Sequence, residues 1–342
     1  MARHMPTTIA GASAATETAL PDIKAVYALV ADDFDAVNAL IPRRLTSDVD
    51  LVEEIGRHII DSGGKRLRPL LVLLSARCLG YNGTDHIKLA AIIEFLHTAT
   101  LLHDDVVDRS DLRRGRATAN HLWGNAPSVL VGDFLYSRAF QLMVELGRID
   151  IISILSDATN VIAEGEVQQL ANIGKADVSE AAYFDVIRAK TAMLFQAASQ
   201  TAAVLVARDE RHVTALRDYG VTLGFAYQLV DDWLDYAGDP AVMGKNAGDD
   251  LAEGKLTLPL IHTLRHGSST DRKIVRDAIE TRSSAALADV IVAVKRCGAL
   301  DRTRREAEAQ AQRAIELLAV LPTGEHRDAL AELARFCVSR LS

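Results

Sequence analysis

Aromatic residues make up only 5% of this chain, and alternating β-branched runs are scarce, which argues against a fold built on sheets. Cysteine is nearly absent. The thiols Cys78, Cys297 and Cys337 are odd in number and far apart, so neither a disulfide framework nor a cysteine metal site is encoded. They read as small buried apolar residues of a protein kept in a reducing, cytoplasmic compartment. Positive charge is also in deficit. The 38 Lys and Arg against 46 Asp and Glu leave a net charge of −8, which excludes nucleic acid as a partner on bulk electrostatics. No uninterrupted run of about 18 apolar residues occurs, so no membrane span is expected. Residues 1–20 lack a sustained apolar segment and read as a disordered leader rather than a signal peptide.

What is present is helix. Ala, Leu and Arg, all good helix formers, are among the commonest residues, and helical periodicity recurs from Ile23 to the C-terminus. Gly and Pro clusters at Ser62–Gly64, Gly80–Gly83, Gly124–Pro127, Gly174–Val178, Gly238–Gly254 and Leu321–Gly324 cut the chain into about ten or more helices. None resembles an interdomain linker. The expectation is an all-α fold, a single domain over 21–342, with antiparallel helices bundled around a central cleft.

Two helix-like stretches each carry Asp-Asp-x-x-Asp. The first is Asp104, Asp105 and Asp108; the second is Asp231, Asp232 and Asp235. At about 100° per residue, positions i and i+4 share a face and i+1 flanks it, so each triplet is expected to present its carboxylates to one small volume. Two unit charges about 4 Å apart repel by roughly 4 kcal/mol at an effective dielectric near 20. Such triplets call for cations, and Mg²⁺ bound by a few carboxylates while sharing substrate phosphates is the natural candidate. A lone acidic triplet would pass as a solvated helix face; two in apolar surroundings do not.

Basic residues keep them company. SGGKRLRP sets Lys65, Arg66 and Arg68 after two glycines at a probable helix start, where free N–H groups favour anions. Arg113 and Arg114 follow the first cluster; Lys190, Lys245 and Lys255 complete the set. His97, seven residues before Asp104, lies on the face of that cluster, and Gln228 shares the face of the second. His103 points elsewhere. Carboxylates, a divalent ion and clamping cations together imply a phosphorylated ligand.

With these motifs in place, the chain resembles the trans (head-to-tail) isoprenyl diphosphate synthases. The likeness runs from GGKRLRP through HTATLLHDDVVDRSDLRRG, SVLVGDFLYSRAF, AEGEVQQL, RAKTAMLF and AYQLVDDWLDY to GKNAGDDLAEGKLTLPLI. Within that family it is most similar to the bacterial long-chain polyprenyl synthases that supply quinone side chains. The resemblance implies a helical homodimer with about three Mg²⁺ per active site, Mn²⁺ serving as a substitute. It implies that both aspartate clusters hold metal. Arg113, Lys190 with Thr191, and Lys255 would hold an allylic diphosphate, farnesyl or geranyl, and Lys245 would approach the leaving group. Lys65, Arg68, His97 and Arg114 would hold isopentenyl diphosphate, and Gln228 would serve beside the second cluster. The expected product is an octaprenyl chain, with nonaprenyl or decaprenyl as the same chemistry at another length.

A growing apolar tail needs a tunnel. Ala99 and Thr100 precede Asp104 by five and four residues and are small; Ala99 lies about 7–8 Å down the helix axis, where a tunnel wall is expected. Phe140, Met143 and Phe195 are candidates for its floor. Transient contact with a membrane surface would help so apolar a product leave. Three other readings fit less well. A class I terpene cyclase would need one aspartate motif and one substrate. A di-iron bundle would need a second Glu-x-x-His pair beside Glu94 and His97. A regulatory subunit should have lost carboxylates.

Overall fold

The structure, a computed structural model, describes residues 22–206, 209–237 and 248–341. The sequence-level leader and Lys245 lie outside these residues. The described chain is helical nearly throughout. Helices α1 (Ile23–Ala28), α2 (Ala31–Arg44) and α3 (Asp50–Asp61) precede α4 (Leu67–Cys78) and α5 (Asp85–Val107). Then come α6 (Ala119–Trp123), α7 (Asn125–Leu146), α8 (Ile149–Asn172), α9 (Glu180–Ile187) and α10 (Met193–Val206). The rest is α11 (Glu210–Ala237), α12 (Asp249–Ala252), α13 (Leu258–His266), α14 (Ser269–Thr281), α15 (Leu287–Arg296), α16 (Ala299–Leu317) and α17 (Glu325–Val338).

Ten of the twelve residues of α4 are buried, among them Leu70, Leu71, Leu73 and Leu74. A helix apolar on all sides belongs in the centre, and α4 packs between α5 and α10. Helix α5 runs along α7, and α11 runs along α10 and α16. The main core fills the space between α4, α5, α7, α10 and the first half of α11. A second core lies under the far half of α11 and helices α13–α16. Cys78 and Cys337 are buried and unbridged, and burial pushes their thiols up to about 11 and about 12.

Two local departures from plain helix matter for the site. Two-residue strands, β1 (Leu112–Arg113) and β2 (Arg116–Ala117), pair antiparallel beyond α5. The turn joining them puts Arg114 and Gly115 both at positive φ, the geometry of a tight hairpin turn. Residues Arg188–Ala192, between α9 and α10, form a π-turn in which the Met193 N–H reaches back to the Arg188 carbonyl. Helix α11 fits against this bulge because residue 224 is glycine; a Cβ there would overlap the Ala192 backbone.

Candidate active site

Both aspartate clusters end helices. Asp104 and Asp105 are in the last turn of α5 and Asp108 is its C-cap; Asp231, Asp232 and Asp235 occupy the last two turns of α11. A helix C-terminus carries the negative end of the macrodipole, so carboxylates there are disfavoured and cations favoured by about 0.3–1 kcal/mol each. The fold thus concentrates negative charge where the backbone already opposes it.

Cations answer it one by one. Lys190 Nζ stands 4.0 Å from Asp104 Oδ2, and Lys255 Nζ is 2.9 Å from Asp108 Oδ2. Arg113 grips Asp105 Oδ1 through Nε at 2.9 Å and Nη2 at 2.7 Å. The expectation that each triplet meets in one small volume is therefore met only in part. Among the described residues no three His, Cys, Asp or Glu side chains converge as a ready-made metal cage. Asp104 and Asp108, four residues apart, face the lysines, whereas Asp105, about 100° round the helix, turns into the protein. Burial holds the Asp104 carboxyl above its usual range; Lys190 opposes this and Asp108 reinforces it. Burial pulls the Lys255 ammonium down, but Asp108, Glu253 and Asp250 outweigh it, and the group ends above its ordinary value.

The second cluster is oriented by a relay. Thr191, set forward by the π-turn, donates to Gln228 Oε1 at 2.7 Å, and Gln228 Nε2 donates to Asp232 Oδ1 at 2.8 Å. The Tyr183 hydroxyl donates to the other oxygen of Asp232. Burial, then nearby Asp250, pushes Asp232 up to about 7. Asp231 faces Arg340, whose Nη1 is 3.4 Å away. Asp235 is fully buried. A cavity of about 130 Å³ opens beside the relay, lined by Gln169, Tyr183, Lys190, Gln228, Asp232 and Lys255 among others.

A divalent ion fits these donors. All are hard carboxylate oxygens, and Mg²⁺ needs only one or two from the protein when phosphates supply the rest. Asp105 Oδ2 is buried with no hydrogen-bond donor, an orphaned anionic oxygen beside the cluster.

A second pocket is lined by Lys65, Arg66, Arg68, Glu94, His97, Arg114, Phe195 and Tyr227 among others. Its cations arrive by three routes. Lys65 and Arg66 precede α4, with Arg66 in the left-handed region at φ 43°; Arg68 is in the first turn of α4; Arg114 comes from the hairpin turn. Arg114 passes over Gly64, where any side chain would collide with its guanidinium. Arg68 stacks on the Phe195 ring at 4.3 Å and donates through Nη1 to His97 Nε2 at 3.2 Å. Because Nε2 accepts, the His97 ring proton is on Nδ1. Burial and then Arg68, Arg114 and Arg113 drive the His97 pKa well below its usual value, so the imidazole is neutral at pH 7. His97 thus belongs to this basic pocket, about two turns down α5 from Asp104.

The two pockets meet at α11: Tyr227 lines the basic one and Gln228 the acidic one. Ala99 is fully buried in the main core, and Thr100 turns its hydroxyl back to the His97 carbonyl at 2.8 Å. Phe195 lies beneath Arg68, Met143 is buried, and Phe140 is exposed on α7. His103 is turned to the Val129 carbonyl, away from both pockets. Sequence reasoning passed over Glu166, Gln169, Tyr183, Asp250 and Glu253. Glu166 and Gln169 lie in AEGEVQQL at i, i+3 spacing, and Glu253 is two residues from Lys255; the signal was an acid within reach of each singled-out lysine.

The polyprenyl synthetase family model matches residues 49–296. Octaprenyl diphosphate synthase of Escherichia coli (strain K12) is 49% identical over 320 residues, covering 93% of this chain and 99% of that protein. The geranyl-diphosphate-specific all-trans-nonaprenyl-diphosphate synthase of Rhodobacter capsulatus is 44% identical over 317 residues, covering 92% of this chain and 97% of that protein. A polyprenyl synthase from Caulobacter crescentus CB15, crystallised with calcium and isoprenyl diphosphate, superposes with a TM-score of 0.91 at 46% identity, covering 94% of this chain and 99% of that one. With the family model matching well over half its length, the chain belongs to the polyprenyl synthetase family, the prenyltransferases that build trans-polyprenyl diphosphates.

Proposed function

We propose that the protein adds isopentenyl diphosphate units head-to-tail to a farnesyl or geranyl diphosphate primer and ends at octaprenyl diphosphate, for quinone side chains. The observation that carries the reading is the pair of pockets flanking Tyr227 and Gln228, one lined by Asp232 and Asp250 together with Lys190 and Lys255, the other basic. Two anionic substrates need two such places. The 49% identity to an octaprenyl diphosphate synthase favours eight units; a nonaprenyl product is the second reading, favoured by the 44% identical relative.

The allylic diphosphate lies between the aspartate clusters, with Lys190, Lys255 and Arg113 on its oxygens. Mg²⁺ held by Asp104, Asp108, Asp231 and Asp235 would neutralise the diphosphate so that it can leave. Lysine ammoniums add to this where charge develops on the departing oxygen. Thr191 and Gln228 hold Asp232 in place. Lys65, Arg68, Arg114 and the Nδ1–H of His97 hold isopentenyl diphosphate in the basic pocket. Fixing both substrates in adjoining pockets supplies much of the rate. The double bond attacks the allylic carbon, the C–O bond breaks, and the released diphosphate takes the proton that restores an alkene.

The working unit is a homodimer in the cytoplasm. Leu130 and Val144 on α7, 65% and 71% exposed, fall within about 40° of one face, and Ile149 and Val167 on α8 share a face at 78% and 66%. Exposed apolar faces of this kind are covered in stable assemblies. No helix of the described residues is long and apolar enough to cross a membrane. The product leaves by transient contact with a membrane surface.

The test is diphosphate release. Release that needs a divalent cation, a primer and isopentenyl diphosphate together supports elongation. Release from the primer alone would indicate a cyclase, and none from folded protein would indicate a non-catalytic subunit.

A further inference from the structure

Both lysines that line the acidic pocket are held by more than the aspartates. Lys190 Nζ is 2.7 Å from Glu166 Oε2 and 2.9 Å from Gln169 Oε1, much closer than the 4.0 Å to Asp104. Lys255 Nζ is 2.6 Å from Glu253 Oε2 and 2.9 Å from Asp108. The two glutamates come from unrelated places, the middle of α8 and the turn after α12, yet do the same thing. Each pairs with one cluster-facing ammonium. Both are partly shielded, with side chains 24% and 26% exposed.

Arg113, the third cation of the cluster, is instead paired with Asp105 through two nitrogens. The difference follows from side-chain chemistry. A guanidinium is a planar fork whose geometry two bonds fix, whereas an ammonium is a point charge on a four-carbon stem that swings freely. A lysine held only by Asp104 or Asp108 would lose its partner when a doubly charged ion took that carboxylate, and the ion would repel it. Only an anchor not shared with the ion keeps it aimed at the pocket.

We propose that Glu166, with Gln169, and Glu253 are positioning residues that hold Lys190 and Lys255 over the allylic diphosphate once divalent metal has claimed Asp104 and Asp108. This rests on the placement of the allylic diphosphate and metal given above. The glutamates touch neither substrate nor metal and act through the lysines. Their contribution therefore depends on metal: before it arrives Asp108 bonds Lys255 and the Asp104 charge, 4.0 Å away, also attracts Lys190, and afterwards only Glu253 and the Glu166–Gln169 pair remain to hold them.

The test is equilibrium binding of the non-ionising S-thiolo analogue of farnesyl diphosphate, with and without Mg²⁺. The proteins are wild type, Glu166→Gln, Glu253→Gln and the shortened Glu253→Asp, each checked for unchanged melting temperature. The expected result is near wild-type affinity without Mg²⁺ and about tenfold weaker binding with it for each Gln variant, equivalent to ~1.4 kcal/mol. Glu253→Asp should fall between, and affinity for isopentenyl diphosphate should not move. Equal weakening with and without Mg²⁺, or none, overturns the proposal. If a variant melts early, Glu253→Asp carries the same comparison. Failure of wild type itself to bind more tightly with Mg²⁺ would overturn the placement of metal and allylic diphosphate, a result distinct from a failure of the glutamates.

Discussion

Arg68 and Asp232 carry opposite ends of the argument at the scale of single residues. Arg68 stacks on Phe195 and contacts His97 in the basic pocket. A hydrogen bond from a charged donor contributes roughly 1.5–3 kcal/mol, or about 10–100-fold in affinity. Arg68→Ala should raise KM for isopentenyl diphosphate by that factor and leave KM for farnesyl diphosphate within about twofold; steady-state kinetics with each substrate varied in turn checks the split. Asp232, pushed up to about 7, makes a prediction about pH. Its native pKa lies above the ~3.9 of an unfolded chain, so the folded state retains a proton that the unfolded state loses. The stability this contributes is full below ~3.9 and lost as pH rises through about 7. In metal-free protein the melting temperature of wild type relative to Asp232→Asn should fall between pH 4 and pH 8; parallel curves would contradict the assignment. The six aspartates were legible because their spacing on apolar helix admits few other uses. Glu166 and Glu253 were not, because an isolated glutamate in a charged stretch has the same local signature whether it is solvated or holds a lysine.

Helices α5 and α11 were readable as elements from periodicity, but the ending of α5 at Val107 was not, because none of the predicted Gly and Pro breaks falls there. The π-turn at Arg188–Ala192 was not, since one extra residue in a turn barely alters an apolar pattern. The hairpin carrying Arg113 and Arg114 was also hidden: its strands are two residues each, too short for any alternation. Helix α5 also tests the tunnel. Ala99 is fully buried on it, within the main core. If that position borders the path of the growing tail, Ala99→Tyr should fold and give shorter products, sized by chromatography. If it is only packed core, the added ring should cost about 1–3 kcal/mol or more in stability with product length unchanged.

At the scale of the whole molecule, composition already pointed to a helical protein, and the bundle follows from it. The two separate cores and the way α11 spans both depend on long-range packing that no local window contains. The exposed faces of α7 and α8 predict assembly. Val144→Asp combined with Leu130→Asp should convert a dimer to a monomer in sedimentation analysis, and wild type sedimenting as a monomer would contradict the homodimer. The most direct test of the account is product sizing. Purified protein with Mg²⁺, farnesyl diphosphate and labelled isopentenyl diphosphate should yield a dominant forty-carbon diphosphate, and none when the divalent ion is removed. Failure of the folded protein to incorporate isopentenyl diphosphate would contradict the assignment of two substrate pockets.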